Sequence, residues 1–292
     1  MASRQQIKQQ IRSVKNTKQT TKAMQMVSAS KLRRAQDAVV GPREYARVAG
    51  EMLTKLRSLN NSGARETSLF AQRPVNHRVI VMVTSDRTLA GAYNANVIRR
   101  TISELIADKN AGVKTSVICI GRQAARAAGR FHDVNVIAVY QDLPDKITPA
   151  DIRPVLDTLT GKFTGENGDI DAVDVIYTAF QSTIRQEVRM PRLLPAGFTD
   201  EPIENISASI STEPSTDELI ESATMRLLDA QLYQMVLESA ASEHAMRMLA
   251  MKNATDNASD LIEDYTLEYN NARQAAITQE LAEISGGTAA IT

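Results

Sequence analysis

The chain has 292 residues, 34 lysines and arginines, and 34 aspartates and glutamates, so its formal net charge is zero. This balance excludes a histone-like polyelectrolyte, and the one cysteine, Cys119, excludes an intramolecular disulfide framework and a cysteine-based zinc site. Aromatic residues make up 4% of the chain and tryptophan is absent, which argues against stacking platforms for single-stranded nucleic acid. No apolar run approaches the roughly 18 residues that span a bilayer, and the polar, basic start predicts no secretory signal.

The charges are distributed unevenly along the chain. Residues 1–34 carry nine bases and no acid, residues 213–292 carry fourteen acids and four bases, and the centre is nearly neutral. Opposite charges at the two ends favour pairing between them, although surface ion pairs select a partner more than they stabilise it. The alternative is that each charged face is merely solvated.

An amino-terminal helical arm is predicted over residues 1–58. The first forty residues contain neither glycine nor proline, and Ile7, Ile11 and Val14 recur at helical spacing. We expect Gly41-Pro42 to kink or divide this arm. The stripe passes through polar positions before recovering at Leu32, Ala35 and Val39, and a second apolar pattern follows at Tyr45, Val48, Met52, Leu53 and Leu56.

The centre, residues 76–197, alternates predicted strands with predicted helices. Such alternation indicates a mostly parallel sheet with covering helices, a Rossmann-like α/β domain. The linker at 198–214 is rich in serine, threonine, glutamate and proline. The predicted strands lie at 79–84, 117–120, 134–140 and 173–180, with a fifth inside 184–194, and the predicted helices lie at 94–108, 123–130 and 149–163.

A second helical arm is predicted over residues 215–285, which contain neither glycine nor proline, with Gly286-Gly287 as a stop and 286–292 as a tail. At 1.5 Å per residue this helix is roughly 100 Å long, which favours a coiled coil. The residues predicted to face the partner helix, the seam of the coil, begin with Leu228, Leu232, Met235, Ser239, Ser242, Met246 and Leu249. The seam weakens at Asn253, Asp256 and Asp260, so the sequence leaves open whether the coil is continuous there. It resumes from Leu261 and Ile262.

Few residues carry recognisable chemistry. The turn after the first strand has one glycine instead of a glycine-rich phosphate cradle, and its Ser85-Asp86-Arg87 indicates either a ligand site or a capped turn that contacts a protein. The three histidines lack metal-ligand spacing, and no nucleophile elbow is present. We therefore expect no catalytic residue, metal or cofactor. The basic first helix could suit nucleic-acid phosphates, but it lacks interleaved aromatic residues.

Two features are unusual for a simple two-helix coil: polar residues inside the seams, and Met24, Met26 and Val27 lying off them. A shaft that touches a surrounding partner on several faces would explain both. Register drift along a straight helix is the other explanation.

Both arms resemble the gamma subunits of F-type ATP synthases. The resemblance covers the arms closely, whereas the centre matches mainly by layout, by Thr84-Ser85-Asp86-Arg87 and by the ending Leu193-Leu194-Pro195. The matching blocks are residues 7–17 (IKQQIRSVKNT), 21–31 (TKAMQMVSASK), 248–258 (MLAMKNATDNA) and 269–281 (YNNARQAAITQEL).

The resemblance implies a fold: an antiparallel coiled coil of both termini joined to a Rossmann-like domain. It also implies a function, that of the non-catalytic rotor shaft which couples proton flow through the membrane ring to conformational cycling of the beta subunits. The implied partners are the alpha and beta subunits, epsilon and the c-ring, without nucleic acid or directly bound nucleotide. The implied location is peripheral, on the cytoplasmic face of a bacterial inner membrane.

Individual contact residues carry over from the family motifs. The resemblance implies that Met24, Arg273, Gln274 and Thr278 face the moving region of the beta subunits. It places residues 284–292, including Ile284 and Ile291, in an upper apolar bearing. The turn departs from the family pattern because Thr88 and Ala90 replace a glycine and a cysteine. Two rival functions are a Rossmann-type enzyme with helical arms and a coiled-coil nucleic-acid adaptor.

Overall fold

The structure is a computed structural model that describes residues 4–60, 68–131, 134–165, 169–198 and 216–291. Within these ranges, the side chains of 57–60, 68, 216–220 and 283–291 are not described. The chain divides into two compact units. The helical unit comprises Met1–Ala29 and Arg247–Thr292, and the α/β unit comprises Ser30–Met246.

Helix α1 spans Arg4–Asn60 without a break, although Pro42 lies inside it. Gly41-Pro42 therefore does not divide the arm, and a kink there stays a prediction. Proline removes one backbone hydrogen bond, but the buried side chains of Val39 and Ala49 hold the helix on both sides of it. Fifteen buried or half-buried positions among the described side chains of α1 follow steps of four and three, a coiled-coil period: Ile7, Ile11, Val14, Lys18, Thr21, Gln25, Ser28, Leu32, Ala35, Val39, Pro42, Ala46, Ala49, Leu53 and Leu56. Five more described positions, all half-buried, lie beside this stripe: Ala29, Lys31, Gln36, Gly50 and Thr54.

Helix α5 spans Thr216–Ile291. It passes Gly286-Gly287, where we expected it to end, so the predicted tail is helical as far as Ile291. Glycine permits a helix stop, but it imposes none when the backbone keeps helical dihedral angles. Most of the predicted linker, 198–214, lies outside the described residues. Within the described ranges, no helix has an apolar window long enough to cross a membrane.

The α/β unit is built on a six-stranded sheet with the order β3-β2-β1-β4-β5, and β6 pairs with β4 beside β5. The first four strands are parallel, as predicted, and the two short strands run antiparallel to β4. The predicted fifth strand is thus two strands. The bounds are β1 His77–Val83, β2 Lys114–Ile120, β3 Asn135–Tyr140, β4 Ala172–Phe180, β5 Gln186–Arg189 and β6 Arg192–Leu194.

Helices cover both faces of this sheet. Helices α2 (Tyr93–Ala111) and α3 (Arg122–Ala128) cover one face, where Ile80 and Cys119 are fully buried. Helix α4 (Pro149–Thr164) packs on the other face together with the parts of α1 and α5 that belong to this unit. A fully buried parallel sheet explains why the strands β1, β2 and β4 read as continuous apolar runs.

Within the α/β unit, α1 and α5 run antiparallel. The Arg43 guanidinium lies 3.2 Å from the Glu238 carboxylate, and about two turns further along α1 a Cβ on Gly50 would lie 3.1 Å from the Gln231 amide. The buried face of α1 here carries Ala49 and Leu53. The predicted apolar pattern was partly wrong, because three of its members are substantially exposed: Tyr45, Val48 and Met52.

Candidate partner-contact surface

The helical unit is an antiparallel pair of helices. Thr21 of α1 lies against Thr255 of α5, with their hydroxyl oxygens 2.8 Å apart, and Arg4 Nη2 lies 3.7 Å from Glu280 Oε1. Lower numbers on α1 therefore face higher numbers on α5. The Arg4–Glu280 pair is exposed and contributes little energy, so the buried seam holds this pair of helices together.

Small residues occupy several positions of that seam. Thr21 and Ser28 are at most 9% exposed on α1, and Thr255 and Ala258 are at most 7% exposed on α5. The hydroxyls satisfy themselves on helix carbonyls: Thr21 Oγ1 donates to Lys18 O at 3.1 Å, and Ser28 Oγ donates to Met24 O at 2.8 Å. Because these groups are hydrogen-bonded, their burial carries little penalty. Small side chains also let two backbones approach closely.

The seam of α5 differs from the predicted one beyond residue 246. Leu249, expected on the seam, is 42% exposed, whereas Met251 is 5% exposed. The predicted weak points, Asn253, Asp256 and Asp260, are exposed because they lie off the seam. The seam passes instead through Met251, Thr255, Ala258 and Ile262, so the coil is continuous through the region that the sequence left open.

Large apolar side chains lie on the outside of this helical unit. Met26 is 60% exposed, Leu267 is 65% exposed and Leu281 is 62% exposed. Two paired helices can bury only one stripe each, so apolar residues on the other faces indicate an additional partner. Among the side chains that the structure describes, the exposed large apolar residues of the helical unit are Met24, Met26, Val27, Leu249, Leu261, Leu267, Ile277 and Leu281.

The contact residues implied by the resemblance can be located on this surface. Met24 is 37% exposed, and Arg273, Gln274 and Thr278 are exposed on α5. Gln274 and Thr278 share a stripe with Leu267 and Leu281, since steps of four and three keep one helix face. This stripe lies opposite the half-buried Ala272 and Ala276, which continue the seam at helical spacing. The side chains of Ile284 and Ile291 lie outside those that the structure describes.

Leu267 and Leu281 were not among our predicted contacts. The sequence does contain the signal that would have found them, namely large apolar residues that fall off any helical seam. Without knowledge of which face pairs, that signal cannot be separated from a shift of register.

The turn after β1 is held by its own hydrogen bonds. Ser85 N donates to Asn94 Oδ1 at 3.0 Å, and Ser85 Oγ donates to the carbonyl of Arg87 at 2.5 Å. Asp86 Oδ1 accepts the backbone N–H of Arg122 at 3.0 Å, at the start of α3. This is the arrangement of a capped turn. Contact of the exposed Arg87 with a partner stays a prediction.

Other reactive groups are engaged in packing. Cys119 is buried in β2, and burial raises the pKa of its thiol to about 11, so it stays protonated at neutral pH. The ring nitrogens of His77 lie within hydrogen-bond distance of the carbonyl of Asp169 and the hydroxyl of Ser116. In the described part of the chain, no group of three or more histidine, cysteine or acidic residues is arranged to hold a metal.

Comparison with known proteins places this geometry in context. The family model described as ATP synthase matches residues 3–291. The chain is 40% identical over 292 residues to the ATP synthase gamma chain of Roseiflexus sp. (strain RS-1), covering 100% of this chain and 99% of that one. It is 36% identical over 291 residues to the ATP synthase gamma chain of Stenotrophomonas maltophilia (strain R551-3), covering 100% of both chains.

Solved structures share the fold. A chain of the Euglena gracilis mitochondrial ATP synthase, in a structure of OSCP, F1 and c-ring, superposes with a TM-score of 0.68 at 18% identity, covering 99% of this chain and 94% of that one. A chain from the Tetrahymena thermophila mitochondrial ATP synthase central stalk and c-ring gives 0.61 at 21% identity, covering 80% and 99%. At these identities the likeness shows the fold.

Proposed function

Because this chain belongs to the ATP synthase gamma-chain family, we propose that it is the central rotor shaft of an F-type ATP synthase. In this role it performs no bond chemistry itself. It couples rotation of a proton-driven membrane ring to the conformational cycle of catalytic beta subunits. The observation that carries the proposal is the set of large apolar residues exposed on several faces of a helical pair, whose seam contains small residues at Thr21, Ser28, Thr255 and Ala258.

The alpha and beta subunits surround the helical unit in this proposal. Met26, Leu267 and Leu281 are at least 60% exposed and lie on two different helices, so a partner that covers all of them must contact the pair from several sides. Burial of such side chains yields roughly 1.5–3 kcal/mol each, which favours a stable assembly.

The mechanism follows from the asymmetry of this surface. As the shaft turns, each beta subunit meets a different set of side chains, and each set favours a different conformation of that subunit. A contact drives the cycle only by its differential affinity for the two conformations. We assign this contact to Met24, Arg273, Gln274 and Thr278, and we assign an upper bearing to residues 284–292 with Ile284 and Ile291.

The remaining partners are the epsilon subunit and the c-ring. This places the protein at the periphery of a bacterial inner membrane, on its cytoplasmic face, as a subunit that binds neither nucleic acid nor nucleotide. Co-purification tests the assignment: the tagged chain, isolated from its host under mild conditions, should carry alpha and beta subunits and ATPase activity. Recovery of the chain without them would contradict the proposed function.

Met24→Lys tests the contact surface. The substitution places a cation where a half-exposed thioether lies, so we expect weaker coupling between ATP hydrolysis and proton pumping while hydrolysis itself continues. The measurement is ATP-driven acidification of inverted membrane vesicles, divided by the ATPase rate. Gln19→Lys is the matched control, because it adds the same charge at an exposed position on a different face of α1. Normal coupling in Met24→Lys would refute the residue assignment.

A further inference from the structure

Strand β3 forms one edge of the sheet and is unusually open. It pairs with β2 on one side, and in the part of the chain that the structure describes no strand pairs with its other side. Its sequence, NVIAVY, contains no charged residue, proline or glycine. Val136 is 36% exposed and Val139 is 41% exposed. Such an edge offers unpaired backbone N–H and C=O groups to another strand.

The opposite edge shows how this sheet protects a strand. Strand β5 has the sequence QEVR, and its Glu187 and Arg189 are exposed and paired with each other at 3.1 Å. Charged residues of this kind discourage edge-to-edge pairing. A register shift near Ile137 disturbs β3 locally, but Ala138, Val139 and Tyr140 remain in regular pairing with β2. The two edges therefore differ in the feature that controls strand addition.

Cations flank the open edge on one face of the sheet. Helix α3 covers this face next to β3, and Arg126 and Arg130 are exposed at and just beyond its end. Arg122 is paired with Asp142 at 2.5 Å. Among the described residues, Arg126 and Arg130 have no carboxylate partner, so this flank of β3 keeps a positive charge.

Cations also lie at the start of β3. A cleft of about 240 Å³ is lined there by Asn135 and Ile137 of β3, by Lys114 and Lys162, and by one carboxylate, Asp169. In the described ranges, neither lysine side chain forms an ion pair. The start of β3 and its α3 flank therefore carry more positive than negative charge.

We propose that the β3 edge is a docking strand for an extended, acidic segment of another subunit of the same complex. The segment adds a strand to the sheet through main-chain hydrogen bonds, and its carboxylates pair with Arg126 and Arg130 and also with the two lysines of the cleft. Main-chain pairing gives affinity and the flanking charges select the partner. This inference rests on the proposed function, because it requires that the chain works inside a multisubunit assembly.

Hydrogen exchange of the intact complex tests the proposal. Mass spectrometry compares exchange at residues 135–140 in the purified complex with that in the isolated full chain. Strand addition should slow exchange of the outward-facing amides about tenfold or more. Equal exchange of β3 in both samples, with alpha and beta subunits and ATPase activity present, would overturn this inference and leave the proposed function intact.

Charge reversal separates the acidic partner from other occupants. Arg126→Glu with Arg130→Glu should abolish the β3 protection, whereas the control pair Arg99→Glu with Arg185→Glu, exposed elsewhere on the unit, should preserve it. Protection that survives reversal at Arg126 and Arg130 would refute an acidic occupant. Protection in the isolated chain that rises with its concentration would instead show a second copy at the edge.

A direct block of the edge gives an independent readout. Val139→Lys places a charged side chain on the β3 edge, which discourages strand addition, and should remove the slow hydrogen exchange of β3. Ile106→Lys, at an exposed position of α2, should leave that slow exchange unchanged. Unchanged protection in Val139→Lys would overturn the proposal. Slow hydrogen exchange in β1 and β4 shows that the variant is folded. If Val139→Lys is unfolded, the variant Arg126→Glu with Arg130→Glu tests the proposal instead.

Discussion

The strongest stability prediction concerns a buried ion network between the sheet and α2. Arg78 is 8% exposed; its Nε lies 2.5 Å from Asp174, and its Nη1 lies 2.9 Å from Asp108 and 3.3 Å from Glu104. Burial alone lowers the pKa of this guanidinium, but the carboxylates of Asp174 and Asp108 outweigh it and raise the pKa above its usual value. The side chain therefore stays charged.

Arg78→Met removes the cation and keeps a similar apolar volume. Breaking a buried ion pair costs about 3–5 kcal/mol, because the remaining charge is left without its partner. The loss should lie at the lower end of this range because both aspartates retain another partner. Asp174 remains paired with Arg192 at 3.0 Å, and Asp108 still accepts a hydrogen bond from the Thr115 hydroxyl at 2.8 Å. We expect a loss of about 3 kcal/mol, which for a unit of this size lowers Tm by roughly 6–12 °C.

Urea unfolding followed by near-ultraviolet circular dichroism measures this effect, since five of the seven tyrosines belong to the α/β unit. The double variant Arg78→Met with Asp108→Asn should regain about 1 kcal/mol, because it neutralises one orphaned carboxylate. The exposed Arg99→Met is the control, with an expected change within about 0.5 kcal/mol. A loss below about 1 kcal/mol in Arg78→Met would refute the reasoning.

Two further predictions concern backbone space and pH. Gly121 has φ of 92°, and a Cβ there would lie 2.3 Å from the carbonyl oxygen of Thr84; Gly121→Ala should therefore destabilise the α/β unit in urea, whereas Gly161→Ala, with open space inside α4, should stabilise it by about 0.5–1 kcal/mol. Equal effects in the two variants would contradict this. Burial raises the pKa of Asp229, whose Oδ1 has no hydrogen-bond partner. The folded protein therefore binds the Asp229 proton more tightly than the unfolded chain does. The free energy of unfolding falls as the pH rises from the Asp229 pKa of the unfolded chain through that of the folded protein. Asp229→Asn should be more stable than the parent at pH 7 and equal to it below pH 4, with exposed Asp37→Asn as the control; no gain at pH 7 would count against the buried carboxylate.

Much of the α/β unit could be predicted from the sequence. The strands β1, β2 and β4 are short apolar runs, and α4 begins at Pro149, with Asp151 accepting the backbone N–H of Thr148 at 2.7 Å. These are local signals that the fold does not override. The division of 184–194 into β5 and β6 could not be predicted, because both strands are short and depend on pairing with β4.

The helical seams were harder to predict, and the reason is physical. A seam is normally found by following large apolar residues, and on α5 that rule selects Leu249 and Leu261, which are 42% and 45% exposed. The observed seam uses Thr255 and Ala258, which have less apolar surface. Hydropathy therefore selected the wrong residues at Leu249 and Leu261, although it correctly predicted a long helix and the seam from Leu228 to Met246.

The large apolar residues outside the seam carry information about the surroundings of the helical unit. A pair of helices stable in water places its large apolar residues between the helices and its small polar residues outside. Here Thr21, Ser28 and Thr255 are inside beside Ile7 and Met251, while Met26, Leu267 and Leu281 are exposed. Such an arrangement is favourable only if the outward residues are covered by another surface. Large apolar residues outside the seam make the seam hard to predict from hydropathy. The same residues support the proposal that alpha and beta subunits enclose this part of the chain.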